Sequence, residues 1–511
     1  VMRVLQNHPL APIDLRQKAL RLAGRLGQTP LAVAATGAQV RIADGGFVVD
    51  GVATRLGSPE RVTRIDLGQL TGRVAGGAVE GRFTGGAGQI ANVPLLLGAA
   101  AGDWSLRGGA LHLTGAMTVS DAAPSPRFNP MDARGVTLDL ADGAIRAAGT
   151  LYEPTKSVKV ADVTLAHALA SGRGTADIAV PGITFTKGFQ PDLLTRLTFG
   201  VVAEVEAKVT GEGHIGWSAE GVTSTGTFAT KDAALAAAFG PVSGITTTLR
   251  FTDLLSLASA PAQVATIKTV NPGVAVNDGT IVYQLLPDTR VQIDSGVWPF
   301  AGGKMTLLPT TLDFADAGSR RMTFRLEGVK ADQFLQQFDF KNLDATGVFD
   351  GELPMVFDIA GGRIENGSLV VRPGGGSLAY VGDLTQKDLG LWGNIAFQAL
   401  KSLRYRNLTI AMNGPLAGEM ITDVRFAGVT QGQGAKSNFI IRRLQRLPFV
   451  FNVRIQAPFR GLLDSAQSFY DPSRLIQRNL PALLQRQQQQ QQQQRAPATP
   501  PIQPPASGTV P

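Results

Sequence analysis

The chain has 511 residues, no cysteine and a net charge of +8, and 44% of its residues are apolar while only 6% are aromatic. The absence of cysteine excludes disulfides, iron–sulfur clusters, cysteine-ligated zinc and thiol catalysis. Sixty glycines exceed the usual share, yet no Gly-X-Y period occurs, and apolar residues are too frequent for a disordered chain. This composition is typical of many short strands joined by turns.

The first candidate element is a helix over residues 10–27. At helical spacing one of its faces is apolar, formed by Leu15, Ala19, Leu22 and Leu26. We expect this helix to pack against a sheet, although a helix lying on a membrane surface fits the same pattern. Because the chain begins Val1-Met2-Arg3 in the middle of a pattern, we expect it to be the C-terminal part of a longer protein.

From about residue 35 to residue 460, apolar and polar residues alternate in one segment after another, which predicts strands with one apolar face. The alternation is clearest in 203–210, 321–327 and 449–456, and a Gly/Pro turn at 413–418 predicts a hairpin. We therefore predict a mainly β protein, in which a long curled antiparallel sheet forms an extended apolar groove. A set of ordinary dry cores would give the same alternation.

Helices are expected to be few. Three short ones are predicted within the sheet region, at 191–197, 332–338 and 389–400. A C-terminal helix is predicted to begin with Asp471 as its N-cap and Pro472 at its first position. These elements divide the chain into a helix (1–30), two groove regions (31–180 and 181–465), an amphipathic helix (466–486) and a disordered Gln/Pro-rich tail (487–511).

Positive charge is concentrated near the C-terminus, because residues 401–495 contain 14 Lys and Arg but only four Asp and Glu, a net charge of +10. This asymmetry indicates an anionic partner, although a solvated basic face would look the same. We predict that the C-terminal helix contacts a membrane or a partner protein through Arg474, Leu475, Ile476, Arg478, Leu480 and Leu483. Alternatively, the helix covers the open edge of the last strand.

The sequence lacks the residue patterns of common catalytic and cofactor sites. The four histidines, His8, His112, His167 and His214, are scattered rather than paired at metal-ligand spacing. The segment 211–216 matches the dinucleotide fingerprint, but a strand follows it where the nucleotide fold requires a helix. Asp350, before Gly351, is predicted to form a turn. We expect no cofactor, no enzymatic activity and no nucleic-acid partner.

Several ordered blocks of sequence stand out, most clearly at 344–354, 362–369 and 372–380. They resemble the C-terminal region of YdbH-like proteins, which belong to the AsmA-like superfamily of the Gram-negative cell envelope, and the resemblance runs from about residue 180 to 465. Further matching blocks lie at 251–255, 271–273, 296–303 and 457–463.

The resemblance implies a periplasmic protein anchored in the inner membrane through an N-terminal segment absent from this chain. It implies a β-groove that carries phospholipid toward the outer membrane, with phospholipid acyl chains and the two membranes, or an outer-membrane protein, as partners. An older label for the family implies dicarboxylate transport. An envelope scaffold that assembles other proteins through a sheet edge is the alternative from another class.

The residues predicted to line the groove lie on the apolar faces of the clearest strands. They are Ala203, Val205, Ala207, Val209, Met322, Phe324, Leu326, Leu408, Ile410, Met412, Phe449, Phe451, Val453 and Ile455. Burying acyl chains on such a face is favourable, since exposing two sixteen-carbon chains to water costs on the order of 25 kcal/mol at ~0.8 kcal/mol per CH₂.

Overall fold

The computed structural model describes residues 14–458, except for 27–28, 42–44, 58–61, 92, 94, 199–201, 238–239, 272–274, 315–317, 338–342, 359–360, 381–402, 417 and 432–449. These residues form 32 β-strands, one α-helix and two 3₁₀ turns, which confirms the mainly β prediction. None of the helices in this part of the chain is long and apolar enough to cross a membrane.

The first sixteen strands follow one another through mostly short connections. They are β1 Asp14–Gln17, β2 Leu20–Leu26, β3 Thr29–Ala35, β4 Gly37–Arg41, β5 Gly46–Leu56, β6 Thr63–Ala75, β7 Ala78–Gln89, β8 Leu95–Arg107, β9 Ala110–Asp121, β10 Met131–Ala141, β11 Ala144–Tyr152, β12 Lys159–Ala168, β13 Arg173–Phe185, β14 Val202–Ser218, β15 Gly221–Ala237 and β16 Gly240–Asp253. The 3₁₀ turns Pro191–Leu193 and Arg196–Thr198 lie between β13 and β14.

The second half contains the single helix, α1 Ala331–Gln337, between β23 and β24. Its strands are β17 Ala258–Ser259, β18 Gln263–Val270, β19 Val276–Leu286, β20 Arg290–Phe300, β21 Gly303–Leu307, β22 Thr310–Asp313, β23 Arg320–Lys330, β24 Leu343–Thr346, β25 Val348–Asp358, β26 Gly361–Val371, β27 Gly376–Tyr380, β28 Leu403–Tyr405, β29 Asn407–Pro415, β30 Glu419–Ala427, β31 Thr430–Gln431 and β32 Val450–Pro458.

Twenty-eight of these strands form one antiparallel sheet in which most strands pair with their neighbours in the chain. The sheet is not closed into a barrel. The remaining four strands, β24, β27, β28 and β31, form a small second sheet. They extend β25, β26, β29 and β30 beyond one edge of the main sheet, and Ala345, Leu403 and Tyr405 from them join its largest buried cluster. The predicted hairpin at 413–418 is confirmed by the pairing of β29 with β30.

The connections between strands give the sheet two different rims. The tight-turn rim is formed by the turns at 76–77, 108–109, 142–143, 169–172 and 219–220, and the loop rim by longer connections that include 122–130 and 186–198. At the Gly-Gly and Asp-Gly turns both central residues have positive φ, for example +57° and +85° at Gly108 and Gly109. That geometry matches the right-handed twist of paired strands, which explains the short turns.

Bulges in the interior of many strands bend the sheet. The register shifts between Arg134 and Thr137 in β10, between Val180 and Ile183 in β13, and between Thr230 and Ala233 in β15. A bulge inserts an extra residue on one side, so the strand bends and its twist increases. Strands of 9 to 17 residues can therefore curve across the sheet.

The prediction of a helix over residues 10–27 is wrong for the described residues, because 14–17 and 20–26 are strands β1 and β2. The sequence of β2 fits period 2 as well as a helix, with Leu20 and Leu22 on one face and Arg21 and Arg25 on the other. Pairing of β2 with β3 supplies its backbone hydrogen bonds, and this sheet context decides the conformation.

Other helix predictions have mixed outcomes. The predicted segment 332–338 corresponds to α1, and 191–197 contains two 3₁₀ turns instead of one helix. The predictions for 389–400 and for 466–511 lie outside the described residues.

Asp350 does not form a turn, so that prediction is wrong. It lies within β25 and accepts hydrogen bonds from the Arg372 guanidinium at 2.7 and 2.8 Å and from the backbone N–H of Gly328 at 2.8 Å. Gly328 has φ of +70° at a register shift of β23, so the Asp350 carboxylate holds a bulge in the neighbouring strand. An ion pair to Arg372 and this amide bond lower the pKa of Asp350 despite partial burial.

Close backbone approach makes some glycines indispensable, and two positions in β8 test this. A Cβ on Gly102 would lie 1.9 Å from the carbonyl oxygen of Thr114, whereas a Cβ on Gly98 would meet nothing within 4 Å. We predict that Gly102→Ala destabilises the protein by more than about 2 kcal/mol and that Gly98→Ala changes stability by less than about 1 kcal/mol. Urea unfolding measures the free energy of unfolding of both variants. Equal losses in the two would contradict the close approach of the Thr114 carbonyl to Gly102.

Candidate functional site

Residues that lie directly opposite each other in an antiparallel sheet point to the same face, so the strand register defines continuous rows of side chains across the sheet. We call the face that contains the buried residues the inner face. One row, which we call the central row, crosses it from β4 to β14. Its members in order are Val40, Phe47, Gly72, Gly81, Trp104, Leu113, Leu138, Ala147, Leu165, Ala176 and Ile215.

Every member of the central row is apolar or glycine. At the usual strand spacing of about 4.8 Å the row is roughly 50 Å long. A second row, the rim row, lies two residues closer to the tight-turn rim. It consists of Val74, Val79, Leu106, Leu111, Leu140, Ile145, His167, Gly174, Trp217 and Val222. Together the two rows form a continuous, almost entirely apolar surface that runs across the strands.

The outer face is charged, both on these strands and further along the sheet. Five pairs of opposite charge lie directly across from each other: Arg73 and Glu80, Arg82 and Asp103, Lys304 and Glu327, Arg325 and Glu352, and Asp423 and Arg454. On the same face, Nδ1 of His112 and Nδ1 of His214 each lie 2.6 Å from the carboxylate of the residue opposite, Asp139 and Asp177. Exposed pairs of this kind contribute little each, about 0.2–1 kcal/mol, but all favour the register that keeps charge off the inner face.

Large rings on the inner face lie over glycines one or two strands away. A Cβ on Gly72 would fall 2.4 Å from the ring of Phe47 and 2.8 Å from that of Trp104, and one on Gly174 would fall 2.3 Å from that of Trp217. A Cβ on Gly279 would likewise meet Trp298 at 1.9 Å. Glycine therefore lets the rings pack close to the backbone of the sheet, and this packing explains part of the high glycine content.

Exposure of the inner face falls along the chain. Near the N-terminal end Leu22, Ile65 and Val74 on this face are 59%, 44% and 61% exposed. Neither of the two buried apolar clusters among the described residues includes a residue before Met131. Beyond Val222, the exposed large apolar residues of the described chain, such as Val264 and Val297, lie on the outer face. The inner face is thus open at its N-terminal end and covered further along.

Two connections of the loop rim cover the inner face between the open and the covered regions. We call residues 122–130 and 186–198 together the strap. The side-chain amide of Asn129 donates to the carbonyl oxygens of Asp192 and Leu193 at 2.9 and 3.0 Å, which joins its two parts. Gln190 pairs with the backbone of Val205 through bonds of 3.0 and 2.9 Å. Phe189, Leu193 and Leu194 of the strap pack into the smaller buried cluster.

An ion pair fixes the first part of the strap. Nε and Nη2 of Arg127 donate to the two carboxylate oxygens of Asp121 at 2.8 and 3.0 Å, and backbone amides of Ala123 and Arg127 donate to the same carboxylate. The Asp121 side chain is fully buried, and that of Arg127 is 26% exposed. Burial by itself raises the pKa of Asp121, but these hydrogen bonds outweigh it and the pKa lies below its usual value.

Arg127 also connects the two rims. Its Nη1 donates to the carbonyl oxygen of Leu255, 3.3 Å away, at the turn that follows β16 on the opposite rim. Thr29 at the loop-rim end of β3 likewise donates to Leu169 in a turn of the tight-turn rim, at 3.3 Å. In both contacts the loop rim meets the tight-turn rim several strands further along, so the sheet coils around its inner face.

The predicted groove residues that the structure describes fall mainly in the covered region. Met322, Phe324, Leu326 and Leu408 belong to the larger buried cluster, and Ile410 and Met412 pack against it. Val205 belongs to the smaller cluster, with Ala207 and Val209 against it, and Ala203 is half-buried. Leu235 packs against both clusters and joins them. Contact of these residues with a ligand stays a prediction.

The remaining predicted residues cannot be placed in a site. Phe451, Val453 and Ile455 lie in β32, but their side chains are outside the described part, as is the whole of Phe449. The predicted membrane or partner contact, Arg474, Leu475, Ile476, Arg478, Leu480 and Leu483, is also outside it.

The sequence analysis did not identify the central and rim rows. The tight turns contain the missing signal, because a two-residue turn with positive φ sets the residues that flank it opposite each other. The Gly-Gly and Asp-Gly turns thereby place Val74 opposite Val79, Leu106 opposite Leu111 and Leu140 opposite Ile145.

Comparison with known proteins identifies one family. The family model described as "YdbH-like: Intermembrane phospholipid transport protein YdbH" matches residues 2–481. No curated protein and no solved structure matches the chain.

The ion pair in the strap gives a stability prediction. Asp121→Ala removes the partner of a guanidinium that is mostly buried, and we expect a loss of about 2–4 kcal/mol in the free energy of unfolding. Asp103→Ala removes the partner of Arg82 in an exposed pair and should cost less than about 1 kcal/mol. Chemical denaturation compares the two, and a smaller effect at Asp121 than at Asp103 would contradict the assigned role.

The lowered pKa of Asp121 predicts a pH dependence. The carboxylate stabilises the fold fully above its unfolded pKa of about 3.9, and this contribution disappears as pH falls through the lower folded value. The difference in unfolding free energy between the wild type and Asp121→Asn should therefore be constant near pH 7 and shrink below about pH 4. Other carboxylates cancel in this difference. A difference that grows on acidification would contradict the assignment.

Proposed function

Because the chain belongs to the YdbH-like family of intermembrane phospholipid transport proteins, we propose that its inner face is a conduit for phospholipid acyl chains. The observation that supports this most strongly is the central row, which crosses from β4 to β14 without a charged side chain. Acyl chains need a path that replaces water along their whole length, and such a path requires only apolar side chains at the same level in every strand.

Energetics favour a continuous surface over separate sites. Each CH₂ group exposed to water costs ~0.8 kcal/mol, so a lipid stalls wherever the apolar surface is interrupted. Along the central row, each strand contributes one apolar residue or glycine, about 4.8 Å from the one before it, and no polar residue lies between them. Transfer along this surface breaks no covalent bond and requires no titrating group, so we propose a non-enzymatic activity.

The proposed path differs along its length, because its N-terminal end is open and the strap covers it further along. The open N-terminal region, with Leu22 and Ile65 exposed, is where a lipid can reach the inner face from outside. Beyond it, the strap and the contact of Arg127 with Leu255 cover the face. We propose that the rims separate there when a lipid passes, since chains and headgroup together need more space than a closed contact leaves.

We place this activity in the periplasm, between the inner and the outer membrane, since intermembrane transport of phospholipid requires a protein in the space that separates two bilayers. Anchoring in the inner membrane and docking at an outer-membrane partner stay predictions.

Site-specific photo-crosslinking tests the conduit. Leu165 of the central row and Thr164, its exposed neighbour on the outer face, are adjacent in β12. A photoreactive residue at Leu165 is expected to capture phospholipid when the purified protein is incubated with liposomes, whereas one at Thr164 should not. Equal capture at both positions would contradict the assignment of the inner face.

A charge in the central row should block transport. Leu138→Glu places a carboxylate among apolar side chains, where an unpaired charge is penalised by several kcal/mol, while Thr137→Glu places it on the outer face of the same strand. We expect Leu138→Glu to abolish lipid transfer between donor and acceptor liposomes and Thr137→Glu to retain it. Circular dichroism must show both variants folded, and full transfer by folded Leu138→Glu would rule out a path across this residue.

A further inference from the structure

His167 is the one titratable side chain among the ten residues of the rim row. It lies in β12 between Ile145 of β11 and Gly174 of β13, which are directly opposite it on the two sides. The next inner-face residue of β12 is Leu165 of the central row. An imidazole therefore stands at the border between the apolar surface and the tight-turn rim.

The orientation of the His167 ring is fixed by Trp217. The indole Nε1–H donates to Nδ1 of His167 at 3.1 Å, and the two rings stack with centroids 6.0 Å apart. Trp217 is itself only 5% exposed, and its ring lies over Gly174. Because Nδ1 accepts this bond, the neutral imidazole has its proton on Nε2.

The proton on Nε2 is available to a ligand. In the part of the chain that the structure describes, no group accepts a hydrogen bond from Nε2 of His167. Burial lowers the pKa of His167, which favours the neutral ring with a single Nε2–H donor at neutral pH. The side chain is half-buried, so a molecule on the inner face can reach it.

We infer that Nε2–H of His167 donates a hydrogen bond to the phosphate of a phospholipid whose acyl chains lie on the central row. This inference rests on the proposed conduit. It places the headgroup on the tight-turn side of the inner face, beside the acyl chains on the central row. A phosphate cannot enter the central row without losing its hydration, so it stays toward a rim. His167 of the rim row meets it there, two residues before the turn at 169–172 that approaches β3 through Thr29.

A purely structural role for His167, as the acceptor for Trp217, predicts a different behaviour. Losing such an acceptor loosens the inner face for every lipid alike. Losing a phosphate donor instead weakens binding of phospholipid while leaving binding of diacylglycerol unchanged, since diacylglycerol has the same chains and no phosphate. The ratio of the two captured lipids therefore separates these roles.

The test uses the full chain with a photoreactive residue at Leu165, on the same strand and face as His167. The protein is incubated with vesicles that contain phosphatidylethanolamine and diacylglycerol of identical acyl chains at equal mole fraction, and the adducts are counted by mass spectrometry. We expect phospholipid adducts to exceed diacylglycerol adducts. His167→Phe and His167→Leu, which lack the donor, should each lower this ratio at least threefold, and His167→Gln, which has an amide donor, should restore much of it.

Two results would overturn the inference, and they are distinguishable. If the ratio of phospholipid to diacylglycerol adducts is unchanged in folded His167→Phe or His167→Leu, His167 does not recognise the headgroup, and the proposed conduit is unaffected. No adduct with either lipid when His167 is present would refute the conduit at this site as well. Using two donor-less variants keeps the test decisive if one of them does not fold.

Discussion

Strand register is the constraint on which the rest of this structure depends. Inner-face and outer-face residues alternate along each strand, so a slip of one residue would turn the whole strand over. In β10 it would bring the carboxylate of Asp139 to the inner face in place of Leu138, opposite Leu113 of β9. Apolar rows on one face and ion pairs on the other therefore stabilise the same register. Because this register aligns apolar residues in one strand after another, it also determines how far the apolar surface extends.

Curvature of the sheet has a separate physical origin. Glycines such as Gly81 and Gly102 allow neighbouring backbones to approach more closely than any side chain permits, and bulges bend the strands between the two rims. Two other glycines, Gly72 and Gly174, let Trp104 and Trp217 lie close to the sheet. A surface built in this way can coil around its inner face while the rings remain near the backbone.

Periodicity predicted the strands well and the arrangement of the sheet less well. In β14 the expected alternation of Ala203, Val205, Ala207 and Val209 is found, with Glu204 and Glu206 exposed between them. The dinucleotide-like segment 211–216 lies within that same strand, as its lack of a following helix indicated. In contrast, β2 was predicted as a helix, because seven residues with leucines and arginines fit both periods and only pairing with β3 decides between them.

Features that depend on distant contacts could not be predicted from local patterns. The bond from Arg127 to Leu255 joins residues 128 positions apart, and the segment 122–130 shows no periodicity from which its place across the sheet could be inferred. Asp350 looked like a turn former beside Gly351, but its role depends on Gly328 and Arg372 in neighbouring segments. Local patterns also could not predict where the inner face is open and where it is covered, since alternation alone does not distinguish an open apolar face from a packed one.

The central claim is that acyl chains occupy the open inner face across the strands. Cryo-electron microscopy of the protein purified in a mild detergent with added phospholipid tests it most directly. The account predicts elongated density that crosses β9, β10 and β12 over Leu113, Leu138 and Leu165, with the headgroup toward a rim. An ordered map in which this surface is bare, with lipid density only along the outer face, would contradict it.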